Sequence, residues 1–447
     1  MVKELSDIQK WVDDDDIIVD VIPLSEEHHP AASSPCVVLI KKVKQDGHQL
    51  IPIDCYDYNR NFSKDDVRSF FKTLRSNVYC VSKKKFLHLM SVDSLLDLSL
   101  KVFFKNGEII EDDDYTNRSY SFFKNKYGSH KELNKIVPSS IHVAKFLDIC
   151  KDIEDHAVKS SDKSYYSVNK IVLETLYHIE KSGLYVDVDE FNTHFPEKEY
   201  LIHNNLVYTE YNIRTSTGRP SNRFGGINFS ALNKENECRK SFVSRHGKDG
   251  MLVMFDYSAY HPHIISKLIN YEFDKTVNVY EELGKEYFDK ESLSDDEIKN
   301  AKTITFKQLY GSINSEYERV PYFKKIKEYI YHRWDHFNEH GYVETPIFKR
   351  QISHVHLKDA NPTKLFNYIL QASETEYSMQ SLVEITNYLE NKKTKAVLYT
   401  YDSILFDVHK DDGKNAVLHI KKLMENFGFP TKCYVGNNYH DMKVVVF

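Results

Sequence analysis

The stretch MLVMFDYSAYHPHIISKLI (251–269) reads as a buried apolar strand that delivers Asp256 at its end and then turns into a helix with apolar residues at helical spacing. A carboxylate at a strand end beside a helix is a common way to hold a hard divalent cation, although strand-terminal Asp residues also cap helices. A second apolar stretch, AVLYTYDSILFDV (396–408), sets Tyr401-Asp402-Ser403 inside a hairpin-like strand pair. In such surroundings the Asp402 carboxylate needs a cation or hydrogen-bond donors, unless it serves only to cap a turn. Between the two lies DDEIKNAKTITFKQLYGSIN (295–314), where Lys302, Phe306 and Tyr310 recur at i, i+4 and i+8 along one helix stripe. An ammonium followed by two aromatic faces suits a nucleotide, and it also describes a snorkelling Lys over core aromatics. Upstream, residues 214–248 carry eight Lys or Arg (214, 219, 223, 234, 239, 240, 245, 248) against two Glu (235, 237). Ser, Thr, Asn and Gly interleave the cations, as on surfaces that contact a nucleic-acid backbone.

Composition sets the limits around these segments. A chain of 447 residues allows two or three domains, and 28% charged with 41% hydrophobic residues excludes a wholly disordered chain. With 60 Lys plus Arg against 66 Asp plus Glu the net charge is −6, which neither identifies nor excludes a nucleic-acid partner, since a basic cleft can be local. VVLI (37–40) and VVVF (444–447) are strand-sized, and the N-terminus MVKELSDIQKWVDDDD is too acidic for a signal or transit peptide. A cytoplasmic protein without a membrane partner is expected. Six cysteines without a CxxC pair read as reduced thiols. Few Gly (15) and Pro (12) leave most of the chain to helices and strands, and the excess of Tyr and Phe has the flavour of AT-rich coding DNA.

Residues 1–155 open with the apolar runs IIVDVIPL and PCVVLIKKVKQDGHQLIPID and continue with helical stretches, which predicts an α/β domain. DHAVKSSDKSYYS (155–167) reads as a linker, and Val168, Val172, Leu176 and Ile179 then mark a helix ended by Gly183.

Taken in order, residues 168–447 resemble the polymerase region of the family A DNA polymerases. TSTGRPSN…GGINFSAL…CRKSF is similar to that family's TGR-bearing segment, Asp256-Tyr257-Ser258 to its DYS, and AKTITFKQLYG to its fingers-helix motif. GYVETPIFKR (341–350) resembles the segment after the fingers, Asn367 and Gln371 its Asn-x-x-x-Gln spacing, TYDS its last catalytic motif, and HIEKSGLYVDVDEF its thumb entry. The resemblance implies an α+β right-hand polymerase preceded by an exonuclease-like (RNase H-like) domain. The expected divisions are 1–155 exonuclease-like, 156–205 a reduced thumb, 206–267 palm, 268–345 fingers and 346–447 palm. It implies that Asp256, Asp402 and the Tyr257 backbone carbonyl hold two Mg²⁺ ions, with Mn²⁺ as a substitute, and that Lys302 is catalytic. His261, Lys299, Phe306 and Tyr310 would surround the nucleotide; Arg214, Arg219, Arg223, Arg239, Asn367, Gln371 and Tyr401 would contact DNA. Partners implied are primer-template DNA, dNTPs and a processivity factor or other replisome protein, in replication of phage or mobile-element DNA.

Departures from the family pattern carry their own expectations. His261 stands where a sugar-screening Glu is usual and is expected to be a sugar gate bonded to Tyr310. Ile298 replaces an Arg, leaving neighbouring Lys299 to substitute, and Ser403 replaces the last acid. Some 35 residues between the GLYVD segment and Arg219 are too few for a long thumb, so low processivity follows. In the N-terminal domain Asp20-Val21-Ile22 stands where Asp-x-Glu is usual, so exonuclease activity is expected to be absent. Its Lys83-Lys84-Lys85 run reads as exposed surface or DNA contact. Two further readings fit the same residues: a single-subunit RNA polymerase-like enzyme, and a catalytically dead polymerase-like DNA-binding protein.

Overall fold

The computed structural model describes residues 3–12, 14–24, 29–53, 60–110, 140–158, 162–222, 226–232, 237–274 and 276–447. The apolar runs near the N-terminus lack polar alternation because both faces of their sheet are covered. β1 (Ile17–Pro23) pairs antiparallel with β2 (Pro35–Lys42), and β2 with β3 (His48–Pro52). β4 (Val78–Cys80) and β5 (Leu96–Asp97) extend the sheet in parallel on the other side of β1, giving the order β3-β2-β1-β4-β5. Val19 and Val21 pack with Val67, Phe70 and Phe71 of the helix Lys64–Thr73 and with Phe86 and Leu89 of α1 (Lys83–Met90). On the opposite face Ile18 and Ile22 meet Leu98 and Val102 of α2 (Leu98–Asn106) and Phe146 and Cys150 of the helix Ser140–Ile153.

The segments that decide the fold form a second five-stranded sheet, antiparallel throughout. β6 (Gly250–Tyr257), β7 (Lys395–Thr400), β8 (Ser403–His409), β9 (Thr431–Gly436) and β10 (Lys443–Val445) take the order β7-β8-β6-β9-β10. Phe255, Tyr399 and Phe406 face one core with Leu176 and Ile179 of α3 (Leu173–Ser182), while Leu252, Met254 and Leu405 face another with Phe229 and Phe242. Beyond β6 run α4 (Tyr260–Leu268), α5 (Val279–Phe288), α6 (Asp295–Tyr310) and α7 (Pro321–His340), followed by α8 (Pro362–Leu389) and α9 (Gly413–Met424). Proline at the first turn of α7 and α8 costs no hydrogen bond there, and Asn361 caps α8 by accepting from the Lys364 N–H.

Three expectations are corrected. The 155–167 linker contains helical turns at Glu154–His156 and Lys163–Ser167. The helix after it begins as a π-helix, Val168–Val172, before α3. Within the segment expected as a thumb, α3 lies against β7 with Leu176 and Ile179 fully buried, because its apolar stripe needs the sheet to cover it. Finally, Lys83, Lys84 and Lys85 are all buried rather than exposed or open to DNA. Successive helical positions point in different directions, and each ammonium meets a different acid: Lys83 reaches Glu174 at 2.8 Å, Lys84 reaches Glu180, and Lys85 reaches Asp20 at 2.8 Å.

Candidate active site

Register brings the two expected acids together. Asp256 lies opposite Ser403 across β6 and β8, and the Tyr257 N–H donates to the Asp402 carbonyl at 2.9 Å. Both acids line a cavity of about 1060 Å³ between the second sheet and α5–α6. Tyr401 and Asp402 form the two-residue turn joining β7 to β8, with Tyr401 at φ 60°, a left-handed conformation costly for a bulky residue. The Arg219 guanidinium covers the Tyr401 ring at 3.6 Å. The cavity walls and the nearby Glu374 charge raise the Asp402 pKa above the usual carboxylate range. A carboxyl so placed gains from a cation, and two carboxylates at the ends of adjacent strands fit hard, oxygen-seeking divalent ions. The Tyr257 ring is stacked on Tyr260 at 4.1 Å and its hydroxyl donates to the Met424 carbonyl, which leaves only its backbone for such a role.

The opposite wall is α6, started by a capping box in which Ser294 and Glu297 satisfy each other's backbone N–H. Phe306 and Tyr310 stack at 5.7 Å with planes 9° apart. The Lys302 ammonium sits 5.8 Å from the Phe306 ring and 5.7 Å from that of Tyr280 in α5. His261 of α4 joins this wall: its Nδ1 is hydrogen-bonded to the Tyr310 hydroxyl, as the sequence led us to expect, and its Nε2 lies 2.9 Å from a Glu374 carboxylate oxygen. Burial, with the Glu374 charge, pushes the Tyr310 hydroxyl up to about 12, so it stays protonated and donates.

Other expected residues separate into three groups. Arg219 and Asn367 stay at the site: Asn367 donates to the Tyr310 carbonyl at 3.3 Å, with Gln371 one turn further along α8. Arg219 Nε and Asn367 Oδ1 are buried and have no hydrogen-bond partner among the described residues. Arg214, Arg239 and Lys299 are occupied elsewhere. Arg214 is half-buried against Asp97 and Ser99 of the N-terminal domain, because Asp97 needs a counter-charge there. Arg239 lies over the Tyr439 ring at 4.5 Å and donates to the Leu232 carbonyl. Lys299 does not line the cavity; its ammonium is exposed and pairs with Asp296 at 3.1 Å. Arg223 lies outside the described residues.

Several lining residues were missed: Glu374, Tyr280, Lys421 and Lys432, the last directly opposite Asp256 on β9. Glu374 extends the Asn367–Gln371 stripe at i+7, a spacing that could have found it. Gly218 of the TGR segment has φ 74°, and a Cβ there would lie 2.1 Å from Arg350 Nη1. That guanidinium donates to the Thr215 and Ser216 carbonyls at 3.0 and 3.1 Å. Thr345 of GYVET binds Glu376 and accepts from the Arg350 N–H, tying the segment to α8.

A sheet carrying paired strand-end acids beneath a Lys- and aromatic-bearing helix defines a polymerase-like palm and fingers. The chain belongs to DNA polymerase family A, whose profile matches residues 116–441. It is 25% identical over 297 residues to the DNA polymerase of Bacillus phage SP01, a match covering 53% of this chain and 32% of that one. It is 22% identical over 220 residues to DNA polymerase I of Deinococcus radiodurans, covering 42% and 23% respectively. The chain thus spans a third or less of these relatives' lengths. The fold matches the POL domain of Pol1 from M. smegmatis, solved with DNA primer-template and dNTP, at TM-score 0.72 and 13% identity over 98% of this chain and 99% of that one.

Proposed function

We propose that this chain is a template-directed DNA polymerase, transferring a deoxynucleotide from a dNTP to a primer 3′-hydroxyl. The observation that carries the reading is the convergence of Asp256 and Asp402 with Lys302, Phe306 and Tyr310 on one cavity. Asp256 and Asp402, with the Tyr257 carbonyl, would hold two Mg²⁺ ions, Mn²⁺ substituting. Such ions lower the pKa of an attacking hydroxyl and neutralise charge on a triphosphate and its leaving group. The Lys302 ammonium faces the same phosphates and stabilises charge that grows there during transfer. Phe306 and Tyr310 offer stacked faces to the incoming base and sugar, and Arg219, which lines the same cavity, would lie beside the primer end. Sequence information comes from template pairing, so the protein's own contacts serve position rather than base identity.

The N-terminal domain is read as exonuclease-like and inactive. Its sheet is an antiparallel meander extended by two parallel strands, and two acids at that sheet, Asp20 and Asp97, already have cationic partners. Lys85 sits on Asp20, while Asp97 holds Arg214, the Ser99 hydroxyl and the Leu100 and Lys83 N–H groups. A phage or mobile-element role is supported by the phage relative, and a partner supplying processivity by the buried α3.

Primer extension with Mg²⁺, four dNTPs and four rNTPs, on an end-labelled primer, tests the polymerase and exonuclease readings. Extension by dNTPs that is lost in Asp402→Asn, without primer shortening, is expected. Extension by rNTPs alone favours the RNA polymerase reading, and no extension favours a DNA-binding protein.

A further inference from the structure

We propose that Glu374 is a specificity-determining positioning residue: it fixes His261 and Tyr310 as one wall that rejects a ribose 2′-hydroxyl. This rests on the polymerase reading above and names how that site would choose its sugar.

Glu374 is 1% exposed, yet it lines the cavity shared by Asp256 and Asp402. Each of its oxygens serves a different element. Oε1 accepts from Arg219 at 3.1 Å, and Oε2 lies 2.9 Å from His261 Nε2. The other nitrogen of His261 meets the Tyr310 hydroxyl. Four residues from the TGR segment, α8, α4 and α6 thus form one row, Arg219–Glu374–His261–Tyr310.

The row has a direction. A carboxylate oxygen accepts, so His261 Nε2–H donates to it. With Nε2 carrying the proton, Nδ1 presents its lone pair to the Tyr310 O–H. Both ring nitrogens and the tyrosine proton are spent, and the His261 and Tyr310 rings meet edge to face at 5.8 Å. A sugar CH₂ loses nothing against such a wall. A 2′-hydroxyl pressed on it would find no donor and at most the remaining lone pair of the Tyr310 oxygen, so it would be desolvated and left short of partners, which is the costly case for a polar group. A site discriminates strongly when the wrong substrate brings a polar group that cannot be satisfied. Without Glu374, His261 is free to turn and to offer a nitrogen to that hydroxyl.

The test compares kcat/KM for one dNTP and its matching rNTP, using the full chain on a primed template. The variants are E374A, the near-isosteric E374Q, H261A and the double variant E374A/H261A. The expected result is a fall in the dNTP-to-rNTP ratio of at least tenfold in E374A, carried by a lower KM for rNTP. E374Q, which keeps the shape and one acceptor, should fall less. The double variant should match H261A alone, because Glu374 acts through His261. An unchanged ratio in both E374A and E374Q overturns the inference, and so does a loss that simply multiplies with that of H261A. If the unaltered chain incorporates no dNTP, the polymerase reading fails and takes this inference with it.

Discussion

At the scale of single residues, the acids and one glycine make the sharpest claims. Asp256→Asn or Asp402→Asn removes a carboxylate from the cavity, and each should lower primer extension by on the order of a hundred- to a thousandfold in single-turnover assays. Gly218→Ala places a methyl against Arg350 Nη1 at a positive φ. It should cost about 1–3 kcal/mol in chemical denaturation and weaken primer binding, because Arg219 is the next residue. What the sequence made legible at this scale was whatever kept a fixed spacing. Lys302, Phe306 and Tyr310 stood out because helical geometry aligns them before any tertiary contact forms. Glu374 keeps the stripe of Asn367 and Gln371, but spacing alone did not mark it, since a Glu on a helix resembles any solvated Glu until the helix is known to be buried all round. Lys83–Lys85 misled for the same reason: a run of like charge implies solvent unless acids from distant segments arrive to meet it.

At the scale of elements, α6 depends on its start. Ser294→Ala removes half of the capping box beneath three acidic residues of the first turn. The expected loss is about 1 kcal/mol, seen as a lower denaturation midpoint, with dNTP KM raised because Lys302 lies on the same helix. The hairpin of β7 and β8 was readable from its apolar flanks around a polar pair, and β6 from its unbroken apolar run. The π-helical turn at Val168–Val172 was not, because its side-chain pattern over one turn is that of an ordinary helix. Nor could the pattern of α3 tell a helix on the sheet from one standing clear as a thumb. An apolar stripe states that something covers it, not what.

At the scale of the whole molecule, the seam between the two sheets is built from ion pairs. Glu180 is fully buried and receives Lys84, the Tyr211 N–H at 2.7 Å and His88 Nε2 at 2.9 Å. Burial alone would raise its pKa, but Lys84 and His88 override this and hold it at about 2. Ligand atoms of His29, His88 and Glu180 lie within 4.8 Å of one another, and the Lys84 ammonium already supplies the positive charge there. Lys84→Ala leaves that carboxylate buried without its cation and should cost about 3–5 kcal/mol by chemical denaturation.

Burial holds His29 and His88 below their ordinary value of 6.5, so both are neutral when folded. Groups with a depressed folded pKa stabilise fully above their unfolded value and lose that contribution as pH falls. Stability should therefore decline as pH drops below 6.5, and a second loss from Glu180 should set in below its ordinary value of 4.5 and run toward about 2. Urea midpoints measured between pH 8 and pH 2 check this; a flat profile from 7.5 to 5.5 would contradict the histidine contribution.

The stitching of Lys83, Lys84 and His88 to α3, and of Asp97 to Arg214, has a practical corollary for anyone hoping to trim the chain. A fragment starting after residue 158 would keep both strand-end acids and every cavity aromatic, yet Glu174, Glu180 and Arg214 would face outward with their countercharges amputated. The N-terminal third is thus better understood as a permanent splint than as dispensable baggage, and a minimal version of this protein must carry it.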